Sequence, residues 1–163
     1  MEKKAKRNKA VTAVYLILRK GEDILLSRRC NTGFQDGNYQ VPAGHIDADE
    51  LPTQALIREM QEEIGVIIKK EDLKLLHASF RPKYDESGDR VDYYFGAKTW
   101  AGEIRNTEPH KCDDLGWFNI HSLPENLTPH VRVAIEAAEK GEPFSELGLD
   151  FIKSSGMYIV TEE

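Results

Sequence analysis

Cysteine is almost missing from this 163-residue chain, with only Cys30 and Cys112 present. Two thiols build no disulfide framework, so the core has to come from packing, and such usage fits a reducing, cytoplasmic setting. Zinc is unsupported as well. His110-Lys111-Cys112 together with Cys30 lacks the paired CxxC or HxxxH spacing of a zinc site, and nothing marks Cys112 as a reactive thiol. No apolar run reaches bilayer-spanning length, which argues against a membrane partner. Internal repeats and low-complexity linkers are missing, so one domain over residues 1–163 is expected. Positive charge is in deficit: the net charge is −6, and the only basic cluster is the stretch at residues 1–9. Nucleic-acid binding as the main function is therefore disfavoured, and a small-molecule partner is expected. MEKKAKRNK followed by Ala10 to Leu18 imitates a signal peptide. However, Arg19-Lys20-Gly21-Glu22-Asp23 follows without a small-residue cleavage site. We read a basic frayed arm at 1–9 and then a buried strand.

The chemistry-bearing stretch runs from Gly44 to Val66, GHIDADELPTQALIREMQEEIGV. Glu59, Glu62 and Glu63 sit at i, i+3 and i+4. At about 100° per residue, Glu62 and Glu63 fall about −60° and +40° from Glu59, so the three share one arc of a helix. Leu56, Ile57, Met60 and Ile64 fill the neighbouring arc as an apolar stripe. Like charges at this spacing destabilise a helix by a few tenths of a kcal/mol each. A divalent cation would reverse that sign. A solvated acidic helix face is the plain alternative for such a run.

The flanks fit. Tyr39 to Val41 reads as a short strand stopped by Pro42. Gly44 sits in a loop where glycine permits a φ that other residues resist, with a backbone carbonyl free to face a metal. Glu50 and Pro52 mark the helix start, and Gly65 marks its end. Elsewhere the pattern predicts strands at 11–19, 24–29, 73–80, 91–100 and 116–120. The spans 31–38 and 108–114 read as loops. A second helix is capped by Thr128, opened by Pro129 and ended at Lys140-Gly141. Beyond Gly148 the pattern fades. Over 149–163, Met157-Tyr158-Ile159-Val160 leaves an edge strand, packing across a homodimer, or disorder all open.

The Gly44–Val66 stretch resembles the signature of the Nudix (MutT-like) hydrolases: Gly, five residues, Glu, seven residues, then Arg-Glu-apolar-any-Glu-Glu-any-Gly-apolar. Gly44, Glu50, Arg58, Glu59, Met60, Glu62, Glu63, Gly65 and Val66 occupy the fixed positions without departure. The likeness extends over roughly residues 10 to 140. It implies an α+β fold, a mixed β-sheet packed between helices in an α/β/α sandwich. It also implies hydrolysis of a pyrophosphate bond in a nucleoside diphosphate linked to another moiety. By this resemblance Glu59, Glu62 and Glu63, helped by the Gly44 carbonyl, would hold Mg²⁺ or Mn²⁺. Arg58 would orient a helix carboxylate, Glu50 would support the loop or reach the metal shell, and Glu59 would be the first candidate for general base. Such a site suits an acidic chain, because cations must intervene before an anionic substrate can approach.

The substrate is read less sharply. Arg28 and Arg29 close a strand and are candidates for phosphate contacts, against solvated strand-end charge as the alternative. Phe34, Tyr39 and Phe80 are candidates for stacking on a base, against plain core packing. Glu108-Pro109-His110-Lys111-Cys112-Asp113-Asp114 looks like the corresponding stretch of Nudix enzymes that act on nucleoside triphosphates. A triphosphate giving monophosphate plus pyrophosphate is therefore the favoured substrate, with Glu108, Asp113 and Asp114 as candidates for a remote acid. Pro82 resembles an ADP-ribose pyrophosphatase marker and Tyr84 a dinucleoside polyphosphate one. RNA decapping by the same chemistry stays open. Non-catalytic modules of the family usually lose a box acid, and none is lost here. A nucleotide-binding module without hydrolysis is the alternative from another class.

Overall fold

From Ala13 onward the first strand, β1 (Ala10–Leu16), has no solvent face. Ala13, Tyr15 and Ile17 pack into one apolar cluster while Val14, Leu16 and Leu18 pack into another, and all six are buried. A near-continuous apolar run is the mark of a strand covered on both sides. The computed structural model describes residues 6–82 and 88–157. After β1 come β2 (Arg19–Lys20), β3 (Asp23–Arg29), β4 (Tyr39–Gln40), β5 (Ala43–His45) and helix α1 (Pro52–Ile64). A single 3₁₀ turn precedes β6 (Leu73–Arg81), and β7 (Asp89–Ala97), β8 (Cys112–Asn119), α2 (Pro129–Glu139), β9 (Phe144–Glu146) and α3 (Leu149–Ser155) complete the order.

One sheet runs β5-β1-β7-β6-β9, and a second runs β2-β3-β4 with β8 also on β3. β1 pairs parallel with β7 and antiparallel with β5, so the first sheet is mixed. The expected strand 11–19 is two strands, because the chain leaves the first sheet after Leu16 and joins the second at Arg19. Helix α1 closes one side through Ala55, Leu56, Met60 and Ile64. Helix α2 closes the other through Val131, Ala134 and Ile135. The fold is an α/β/α sandwich, as the resemblance implies.

Local differences have physical causes. Ala43 to His45 forms a strand rather than a loop, because β1 offers Ala13 to Tyr15 as antiparallel partners. β8 begins at Cys112, four residues before the pattern predicts, since its polar start is held by pairing with Arg28 and Arg29 of β3. Thr128 makes no side-chain cap. Its hydroxyl donates instead to the Tyr39 carbonyl at 2.9 Å. The N-terminus of α1 is closed by Leu51 N–H donating to Gln54 Oε1 at 2.9 Å, and its end by Gly65 at φ 71. Past Gly141 come β9, at one edge of the first sheet, and the short helix α3, neither of which the pattern predicts. Met157 is buried, while Tyr158, Ile159 and Val160, like Tyr84, lie outside the described residues. Residues 6–9 are exposed and without regular structure. Among the described residues no helix is long and apolar enough to cross a membrane.

Met60 anchors α1 at 0 % exposure. Met60→Ala should cost about 2–5 kcal/mol, read as a lowered urea midpoint in equilibrium unfolding.

Candidate active site

Gly44 lies in β5 opposite Val14, and α1 stands over it. Its backbone is not left-handed. The need is for space: a Cβ on Gly44 would sit 2.0 Å from Glu59 Cδ. The glycine therefore permits close approach of a carboxylate to the strand rather than an unusual φ.

Arg58 organises the acids around the helix start. Its Nε and Nη2 donate to the two oxygens of Glu50 at 2.9 and 3.0 Å, a fork-to-fork pair. Nη1 reaches Glu59 Oε1 at 2.9 Å and Glu62 Oε2 at 3.4 Å, and Nη2 also meets the His45 carbonyl at 3.2 Å. Glu50 further accepts from Asp47 N–H at 3.1 Å. These bonds, first of all those from Arg58, hold the Glu50 carboxyl below its ordinary pKa. The arginine's main partner is thus Glu50, with Glu59 and Glu62 as secondary ones.

A cleft of about 950 Å³ opens between the sheets. Glu59 and Glu63 line it from α1, and Glu108 lines it from the segment before β8. Glu62 does not. It lies outside the wall, with its side chain 54 % exposed. Burial raises the Glu59 carboxyl, opposed by Arg58 and assisted by the charges of Glu62 and Glu108. Glu63 is pushed up to about 8, first by burial and then by Glu59, although Ala43 N–H donates to it at 3.1 Å. These two carboxyls sit where ionisation is disfavoured.

The remaining predicted residues separate. Arg28 and Arg29 line the cleft together with Phe34. Arg28 Nε donates to Asp113 at 2.7 Å, and Tyr39 O–H donates to Asp114 at 2.5 Å. Asp113 and Asp114 line a second, smaller groove of about 330 Å³. Of the three remote-acid candidates, Glu108 alone faces the cleft, where Lys111 Nζ meets it at 3.1 Å. Tyr39 is buried against Phe118, and neither Tyr39 nor Phe80 lines the cleft. Sequence reasoning missed Tyr15, His45, Arg81, Arg90 and His130 in its wall. His130 is 1 % exposed, with Nε2 3.4 Å from Tyr15 Oη and Nδ1 3.3 Å from Met157 Sδ. No motif marks these residues, and only strand register together with the packing of α2 brings them together.

Comparison with known proteins fits this geometry. A family model of the NUDIX domain matches residues 6–138. The chain belongs to the Nudix hydrolase family. An ADP-ribose pyrophosphatase of Methanocaldococcus jannaschii is 29 % identical over 121 residues, covering 74 % of this chain and 69 % of that protein. A NAD-capped RNA hydrolase, NudC, of Pectobacterium carotovorum is 31 % identical over 117 residues, covering 71 % of this chain but only 41 % of the longer relative. The crystal structure of a MutT NUDIX hydrolase from Burkholderia pseudomallei superposes with a TM-score of 0.71 at 27 % identity, over 78 % of this chain and 97 % of that one.

Nudix hydrolases generally need a divalent metal. Among the described residues, no group of three or more His, Cys, Asp or Glu side chains stands close enough to hold one. Mg²⁺ is commonly held by only one or two carboxylates, with waters and substrate phosphates completing its shell. Glu59 and Glu63 suit that role: they are oxygen donors on one wall whose charging is opposed by burial, a penalty a cation would relieve.

Two outcomes follow from this geometry. Gly44→Ala should displace Glu59 and lower thermal stability, measured by calorimetry, because the added methyl meets the carboxyl rather than open space. A carboxyl with a raised folded-state pKa binds its proton more tightly in the folded protein. In chelator, the melting temperature should therefore fall as pH rises from about 4.5 to about 8. Glu63→Gln should flatten that slope.

Proposed function

We propose that this chain hydrolyses the pyrophosphate bond of a nucleoside diphosphate linked to a second group, in the presence of Mg²⁺ or Mn²⁺. The observation that carries this reading is the convergence of Glu59, Glu63 and Glu108 on one cleft that also presents Arg28 and Arg29. Glu59 and Glu63 would hold the divalent ion, which would supply charge neutralisation on the phosphate oxygens and a more acidic water. Arg28 and Arg29 bind and orient phosphate through their planar donor forks. Glu108, entering on a separate segment, accepts a proton from the attacking water, while Glu59 is the alternative acceptor on the helix. Arg58 fixes Glu59 in place and, through Glu50, ties the 47–51 loop to α1. The Gly44 backbone forms the floor against which the Glu59 carboxyl rests.

On substrate, the triphosphate reading drew on the 108–114 stretch. Asp113 and Asp114 do not line the cleft, so only Glu108 still supports it. Pro82 and the names of the relatives favour an ADP-ribose-like or NAD-cap-like anhydride. A panel of nucleoside triphosphates, ADP-ribose, dinucleoside polyphosphates and NAD-capped RNA, assayed with Mg²⁺ or Mn²⁺, should give a nucleoside monophosphate from at least one member. Glu59→Gln and Glu63→Gln should each lower kcat by about a hundredfold or more. Folded protein that binds nucleotide tightly and turns over no member would instead identify a non-catalytic binding module.

A further inference from the structure

Met157 lies outside the cleft wall, yet it touches two of the parts that make it. The residue is 5 % exposed, although it follows only the short α3 and the left-handed turn at Gly156. Its Sδ lies 3.3 Å from Nδ1 of His130 on α2, and a thioether can only accept, so the ring donates. His130 lines the cleft. The Met157 carbonyl accepts from Gln35 Nε2 at 2.9 Å, and Gln35 sits at the tip of the 31–38 loop. Asn31, Thr32, Gly33 and Phe34 of that loop form another part of the same wall.

The loop has a shape of its own. Asp36 accepts from the backbone N–H groups of Thr32 and Gly33 at 3.0 and 2.9 Å. The Arg29 side chain holds the Phe34 carbonyl, and Asn126 Nδ2 donates to the Gly37 carbonyl at 2.8 Å. At the tip, Gln35 is at φ 52, a left-handed conformation that residues with a Cβ adopt only where their surroundings hold them. Its amide works at both ends. Oε1 accepts from Asn38 Nδ2 at 2.6 Å inside the loop, while Nε2 reaches out to Met157.

We infer that Met157 is a positioning residue for the cleft, setting the 31–38 loop through Gln35 and the α2 wall through His130. The inference takes the cleft as the nucleotide site from the proposed function, but its first measurement needs neither nucleotide nor turnover. Hydrogen exchange of the whole chain, read by mass spectrometry, should run about threefold or more faster at residues 31–38 in Met157→Ala, with β1 unchanged. Gln35→Glu keeps the oxygen that Asn38 uses and sets a second oxygen against the Met157 carbonyl, so it should give the same local change. Met157→Leu refills the space and keeps the carbonyl, and should restore most of the protection. On whichever nucleotide the panel identifies, Met157→Ala and Gln35→Glu should raise KM about threefold or more and hold kcat within about a factor of two. Unchanged exchange at 31–38 would overturn the inference. So would a rise shared equally by β1, which marks general destabilisation, or a loss of kcat at constant KM. With no turnover on the panel the proposed function fails, and exchange alone decides this inference.

Discussion

Withdrawal of carboxylates from water is the constraint around which this molecule is arranged. Glu59 and Glu63 occupy successive turns of one helix, burial opposes the ionisation of both, and Glu59 makes Glu63 harder still to ionise. Helix propensity alone would not favour that arrangement. Packing holds it, because the adjoining stripe of α1, Leu56, Met60 and Ile64, is locked into an apolar cluster with β1. Arg58 supplies the compensation that the protein itself can offer. It spends its fork on Glu50 and leaves Glu63 with a single backbone donor. An exogenous cation would complete the balance.

The cleft wall also carries arginines. Arg81 and Arg90 are set opposite each other by strand register, and Arg81 is paired with buried Asp92 at 2.8 Å. A cleft with both kinds of charge is polarised, and its occupant must be complementary to it in charge.

Helix α1 and its acids were legible in the sequence because their information is local. Spacing, Pro52, Gly65 and the apolar stripe all fall within one continuous segment. The central strands were legible too, since β1 and β3 are apolar runs bounded by charge. The reason for Gly44 was not. Its requirement is set by Glu59, which reaches it only after the helix has packed on β5. Arg81, Arg90 and His130 gave no signal because nothing in their neighbourhoods repeats or spaces them. β9 and α3 are too short for periodicity to show. That Glu108 lines the cleft while Asp113 and Asp114 do not depends on how the segment before β8 is placed against the other sheet, a tertiary matter that a polar stretch does not encode.

The double burial of β1 also bears on how the chain reaches this state. Its parallel neighbour is β7 and its antiparallel neighbour is β5, so it cannot settle until segments far along the chain have been made. A nascent polypeptide emerging from the ribosome carries this sticky N-terminal stretch unshielded until the hairpin of β6 and β7 arrives. High contact order of this kind slows collapse to the final topology and leaves a window for self-association. A strand buried on both sides along its second half thus places the chain's exposure to self-association in the interval before assembly rather than in the finished sandwich.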